Sequence, residues 1–192
     1  MKKILVINGH PNSESFNGAL AEKYSLGATE GGHTAKLIHL GKLKFDPILH
    51  KGYLEIQELE PDLQQAQQDI LWADHLVIIF PMWWGTVPAL LKGFLDRVLL
   101  PGFAFKYHKN SPFWDKLLKG RTGRIIFTTD APGWWNFLVN RDPTIHMMKT
   151  AVLKFTGITP VGVTQLTEIK NRKPEVLNSY LEKVYKLGLK AK

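Results

Sequence analysis

Cysteine is absent from the 192 residues. Disulfides, Cys-ligated zinc, iron–sulfur clusters and thiol nucleophiles are therefore excluded, and a reducing compartment is compatible without being required. Long apolar runs are missing too. The most hydrophobic stretch, residues 76–91, is interrupted by Pro81 and Pro88 and is too short to cross a bilayer. Met1-Lys2-Lys3 feeds a strand-like run that soon meets Asn8, with no room for the apolar region and cleavage site of a secretory signal. The expectation is a soluble cytoplasmic protein. Acidic residues are outnumbered, 17 against 25 basic ones, for a formal charge of +8. The basic residues are scattered, and no nucleic-acid-binding motif accompanies them. A basic surface suits phosphorylated small molecules equally well. Several signatures are also lacking: G-x-G-x-x-G, G-x-x-x-x-G-K-[ST] and H-E-x-x-H do not occur, and the seven histidines form no metal set.

What is present is an alternation of strands and helices. Length and 44% hydrophobic content suit a single domain over residues 1–192. Residues 4–7 (Ile-Leu-Val-Ile) read as a first strand and 17–28 as a first helix. Gly31-Gly32 breaks the chain, and 34–40 reads as a second strand. Residues 41–60 have no clean period and are expected to be a long surface excursion. Pro61 opens a helix with Leu63, Ala66, Ile70 and Ala73 at helical spacing. Residues 76–80 are continuously apolar, as in a central parallel strand. Pro88 opens a helix through Val98, 124–128 is a fourth strand, and Asp142-Pro143 starts a helix ending at Gly157. Residues 158–166 are a fifth strand, and 173–189 a final amphipathic helix. The pattern predicts a doubly wound, five-stranded parallel α/β sheet of order 2-1-3-4-5, flavodoxin-like, with helices on both faces.

In such a sheet a ligand sits beyond the carboxyl ends of the strands, at the switch point. That singles out three loops. The first, Asn8 to Asn17, carries His10, Ser13, Ser15, Phe16 and Asn17 ahead of a helix. Its residues serve either as helix caps or as a phosphate grip, because a helix start offers unpaired N–H groups and a favourable dipole. The second, Phe80-Pro81-Met82-Trp83-Trp84-Gly85-Thr86-Val87-Pro88, ends a central strand in adjacent tryptophans. They either border a flat ligand or pack under a helix. The third, Thr128-Thr129-Asp130-Ala131-Pro132-Gly133-Trp134-Trp135, again joins hydroxyls to a tryptophan pair. Phosphate chemistry at one strand end and aromatic platforms at two others converge on a planar heteroaromatic ring with a phosphate tail, a flavin.

These same residues resemble the flavodoxin-like NAD(P)H:quinone oxidoreductase family, which includes the modulator-of-drug-activity reductases and the ancillary subunits of potassium efflux systems. Gly9-His10 with Ser15-Phe16-Asn17-Gly18-Ala19-Leu20 is similar to the family's phosphate loop. Ala73-Asp74, Phe80-Pro81-Met82-Trp83-Trp84 and Val87-Pro88-Ala89-Leu90-Leu91-Lys92-Gly93-Phe94-Leu95-Asp96-Arg97-Val98 resemble its most distinctive segment. Gly102-Phe103-Ala104-Phe105 and Thr128-Thr129 extend the match. The resemblance implies noncovalent FAD or FMN, with NAD(P)H as co-substrate. His10, Ser15, Phe16 and Asn17 would hold phosphate, while Pro81, Met82, Trp83, Trp84 and Gly85 would border the ring. Thr128, Thr129 and Asp130 would close its other side. Gln67 matches a glutamine placed near the cofactor, or is simply an exposed helix residue. Trp134 and Trp135 would wall the substrate pocket. Asp130 to Trp135 stands where animal quinone reductases have glycines.

The implied activity is a two-electron reduction of quinones or similar acceptors by ping-pong hydride transfer through flavin N5, with no protein catalytic residue assigned. The resemblance also implies a homodimer. The alternative is a flavin-bearing regulatory subunit of a membrane transporter, and a one-electron carrier is disfavoured by the basic charge.

Overall fold

The computed structural model describes residues 1–139 and 141–192. Among these, β1 (Lys3–Asn8), β2 (Thr34–His39), β3 (His75–Pro81), β6 (Thr122–Thr128) and β7 (Val161–Leu166) form one parallel sheet in the order β2-β1-β3-β6-β7. This is the expected 2-1-3-4-5 arrangement. A short antiparallel hairpin, β4 (Phe105–Tyr107) with β5 (Trp114–Lys116), lies outside the sheet and has too few residues to leave a period in the sequence.

Every residue of β3 is buried, and β1 is buried except at Lys3. Strands enclosed on both faces need no polar alternation, which is why both read as unbroken apolar runs. Alternate residues feed two separate cores. Leu5, Ile7, Leu76, Ile78, Phe80, Ile125 and Phe127 pack with residues of α2 (Pro61–Trp72) and α3 (Ala89–Val98). Ile4, Val6, Val77, Ile79 and Ile126 pack with α1 (Phe16–Glu30) and with Val184 of the last helix.

Several elements differ from the sequence pattern. The second strand stops at His39, and Leu40–Lys42 turns as a 3₁₀ helix. The fourth strand starts earlier, at Thr122, whose N–H reaches the carbonyl of Asp74 (3.0 Å). The fifth starts later, at Val161, because Pro160 has no N–H for the ladder. A short helix α4 (Gly133–Leu138) occupies the expected third loop. The helix opened by Pro143 is α5 (Pro143–Ile145), running on as a π-helix through His146–Lys154. The chain closes with α6 (Pro174–Leu189). No helix among the described residues is long and apolar enough to cross a membrane.

The 41–60 excursion is clamped to the body. Arg97 of α3 is fully buried, with Nη1 and Nη2 on the Glu60 carboxylate (3.3 and 2.9 Å) and on the carbonyls of Asp46 (2.5 Å) and Glu58 (2.8 Å).

Candidate functional site

The carboxyl ends of β1, β3 and β6 lie side by side, so the loops that leave them meet. After β1, the buried Asn8 accepts from the His10 N–H at Oδ1 (3.1 Å), and its Nδ2 lies 3.0 Å from His39 Nδ1. His10 Nδ1 accepts from the Asn12 N–H (2.9 Å), and Asn12 Oδ1 from the Glu14 N–H (2.9 Å). This run of local bonds curls the loop back on α1. A Cβ on Gly18 would fall 1.8 Å from the Ser13 carbonyl oxygen, so only glycine admits that approach. Ser15 is the N-cap, its Oγ accepting from the Gly18 N–H (3.3 Å). The capping role is therefore real, yet it satisfies one donor only. Phe16 and Asn17, at the first two helical positions, have no intrahelical acceptor for their N–H groups, which leaves an anion-favouring end. The Phe16 side chain packs against the α1–α6 core, so this residue can offer a ligand its backbone rather than its ring.

After β3, Pro81 is still a strand residue and is buried. The side chain of Met82 packs against the core, and its N–H donates to the Thr128 carbonyl (2.7 Å). Trp83 and Thr86 then exchange two backbone hydrogen bonds of 3.0 Å each. Trp84 and Gly85 make the tight turn between them, with φ of 52° and 72°. Two positive values are the signature of a type I′ hairpin turn. Glycine accepts this conformation at no cost, whereas tryptophan does not. The strained residue is also the most exposed aromatic of the chain, at 102% of its reference area. Trp83 is 43% exposed and edge-on to His10, centroids 5.5 Å apart. Neither tryptophan is a core residue.

After β6, Thr128 and Thr129 are buried, and Thr129 Oγ1 accepts from the Ala131 N–H (3.1 Å). Asp130 accepts from the Lys170 N–H (2.9 Å), tying this loop to the chain beyond β7. Trp134 and Trp135 sit on α4 in an edge-to-face pair at 5.6 Å and are both exposed.

The three loops are joined pairwise. His10 against Trp83 links the first to the second. The Met82 N–H on Thr128 links the second to the third. Asn17 Nδ2, buried, donates to Thr128 Oγ1 (3.0 Å), linking the first to the third. Asn17 is thus spent on fixing the loops rather than on reaching outward. Gln67 stands apart from the cluster, its Nε2 on the carbonyl of Val98 (2.9 Å) between α2 and α3. A cavity of about 370 Å³ lined by Tyr53, Leu99, Tyr107 and Phe155 also involves none of the strand-end residues.

Burial lowers the pKa of His10 from 6.5, opposed by the hydrogen bond from Asn12, so the ring is neutral at neutral pH. Asn8, the expected first residue of this loop, is the last residue of β1 and organises His10 from there. Thr144 escaped the sequence reading: its Oγ1 donates to the Gly85 carbonyl (2.7 Å) and holds the tight turn, and nothing local connects residues 59 positions apart.

The profile of a family described as flavodoxin-like fold matches residues 2–187. The chain is 40% identical over 106 residues to a Haemophilus influenzae protein named as an NAD(P)H oxidoreductase, a match covering 53% of this chain and 52% of that protein. It is 30% identical over 150 residues to ribosyldihydronicotinamide dehydrogenase (quinone) of Mus musculus, covering 67% and 63%. The matches thus span 52% and 63% of the lengths of these curated relatives. Among solved structures, Smu.1420 from Streptococcus mutans UA159 superposes with a TM-score of 0.84 at 30% identity, over 98% of this chain and 99% of that one.

Proposed function

The chain belongs to the flavodoxin-like fold family, and from that premise we propose that it is a flavin-dependent NAD(P)H oxidoreductase that reduces quinones or similar acceptors by two electrons in a ping-pong cycle. The observation that carries this reading is the pairwise joining of three strand-end loops, one of them bearing the exposed Trp83-Trp84 turn and another the N-terminus of α1. The names of the Haemophilus and mouse relatives support the reductant and the acceptor class.

The residues fit an FAD or FMN. The start of α1 would hold phosphate through the N–H groups of Phe16 and Asn17, with the neutral His10 ring beside it. The Trp83–Thr86 turn would offer backbone groups and flat faces to an isoalloxazine, and the Thr128–Asp130 segment would close its other side. A flavin held there would supply the two-electron redox chemistry between nicotinamide and the acceptor. The chain's own part is positional. The Asn17–Thr128 bond holds two cradle walls at fixed spacing, and the Thr144–Gly85 bond keeps the turn in its strained form. Trp134 and Trp135 would exclude water from the exposed face of the ring and stack on nicotinamide or quinone in turn.

Residues 1–192 act as one domain in this reading, and two copies pair to cover the apolar surface around the cleft. The deciding experiment is to release the cofactor from purified protein by heat, identify it by chromatography, and assay NAD(P)H oxidation with a soluble quinone. Protein that is colourless, binds neither FMN nor FAD and oxidises no NAD(P)H would refute the proposal.

A further inference from the structure

The opposite end of the sheet carries a second concentration of charge. There, residues around the amino ends of β3, β6 and β7 border an open pocket of about 340 Å³. It is lined by Lys2, His75, Thr122, Arg124, Gly162 and Lys192, among others.

Arg124 decides its character. Its side chain is partly buried, beside the fully buried Tyr24, yet among the described residues it forms no ion pair. Nη1 donates to Thr164 Oγ1 (2.7 Å), and the buried Nε has no partner. A guanidinium withdrawn from water without a carboxylate is costly, because burial disfavours the charge. Among the described residues no acidic side chain pairs with it. Lys2 adds a second cation, its Nζ donating to the Ala191 carbonyl (3.2 Å), and Lys192 a third. The acid next in sequence to this wall, Asp74, accepts the backbone N–H of Lys3 (2.8 Å). The carbonyl oxygen of Lys192 is taken by the Tyr24 hydroxyl (3.0 Å).

The cavity is shaped to the guanidinium. A Cβ on Gly162 would lie 2.6 Å from Arg124 Nη2, so the missing side chain is what lets the arginine lie along β7. His75 completes the wall. It is 3% exposed, its Nδ1 is 2.6 Å from Thr122 Oγ1, and its buried Nε2 has no partner. In the tautomer whose Nδ1 accepts from the threonine, Nε2 carries the hydrogen. Burial first, then the charges of Lys2, Arg124 and His33, pull its pKa down to about 4. Two lysines, an arginine and a neutral histidine line one space, and none of its lining side chains is acidic.

We propose that this pocket binds an oxyanion, the phosphate of inorganic phosphate or of a small phosphomonoester, and that Arg124 is its principal ligand. Planar guanidinium forks match phosphate oxygens in charge and geometry. The site lies at the end of the sheet away from the strand-end cleft and does not depend on the flavin reading.

The test is a titration of ¹⁵N-labelled protein with inorganic phosphate against chloride at equal ionic strength, repeated with AMP. Saturable shifts confined to the amides of Gly123, Arg124, Gly162 and Lys192 are expected. Arg124→Gln should weaken the fitted affinity by about tenfold or more, since a charge-assisted contact is lost. Gly162→Ala, which crowds the guanidinium, and Lys2→Gln should weaken it less, and both keep the test open if the Arg124 variant does not fold. Tighter binding of AMP assigns the pocket to a phosphomonoester, and equal or weaker binding assigns it to the free ion. The proposal is overturned if shifts do not saturate, if they scatter over surface lysines, or if Arg124→Gln and Gly162→Ala both titrate like the parent. The first of these is the result to expect should the terminal carboxylate of Lys192 already serve as counter-ion to Arg124.

Discussion

Single residues carry the strain and the charge of this molecule, and Trp84 shows how the first is used. Left-handed backbone at a bulky residue costs about 1–2 kcal/mol, and no burial of the ring compensates, because the side chain stands wholly in solvent. Trp84→Gly should therefore raise stability by about 1 kcal/mol, read as a higher denaturant midpoint. If Trp84 borders the flavin, the same variant should lose cofactor affinity, measured by fluorescence quenching of added FMN or FAD. A variant that is both more stable and undiminished in binding would remove Trp84 from the site. The pair Trp83-Trp84 was legible in the sequence as an aromatic strand end. Its strain was not, since a positive φ at tryptophan follows from the reciprocal Trp83–Thr86 bonds and from the distant Thr144, neither of which leaves a local pattern. Asn17 makes the complementary point. Its residue type suited a phosphate grip, but only the three-dimensional pairing of β3 with β6 brings Thr128 within reach of its amide.

At the scale of elements, the strands were readable and the connections less so. Continuous apolar runs mark β1 and β3 because both their faces are covered. Helix α4 escaped because its apolar residues face solvent: Phe137 and Leu138 are 67% and 66% exposed, so no buried stripe sets a period. The helix opened by Pro143 was read in place, but its π geometry was not, since the wider turn leaves no distinct pattern over nine residues. The 41–60 excursion was rightly read as lacking periodic structure, but its tether is remote. Arg97 holds it through Glu60 and two carbonyls from inside the body. Arg97→Met, which keeps the volume and removes the fork, should cost about 3 kcal/mol, the usual result of breaking a buried ionic and hydrogen-bonded cluster. Hydrogen exchange should then accelerate selectively at Asp46 and Ile48, whose N–H groups bond within the clamped segment. Unchanged exchange there would mean that the loop is held by packing alone.

For the whole molecule, stability is tied to pH through His75. The ring is neutral in the fold down to about pH 4, whereas an unfolded histidine gains its proton near 6.5. Between these values the unfolded chain binds the extra proton, so this contribution is complete above 6.5 and lost as pH falls toward 4. The gap corresponds to roughly 3 kcal/mol. Urea midpoints should fall across this window in the parent and much less in His75→Asn, while curves that stay parallel would place the acid sensitivity elsewhere. The same scale governs assembly. Trp84, Trp134, Phe137, Leu138 and Val139 expose apolar area next to the proposed cleft, whereas singly scattered apolar residues would need no explanation. If a second copy covers them, light scattering should give twice the 21.8 kDa chain mass. Replacing Phe137 and Leu138 by serine should then yield a monomer, at little cost to the isolated fold because neither side chain is buried in it. Flavin affinity should fall together with dimer content, since the cleft would lose its cover. A parent chain that is monomeric at every concentration would refute the pairing while leaving the cofactor question to be decided by chromatography.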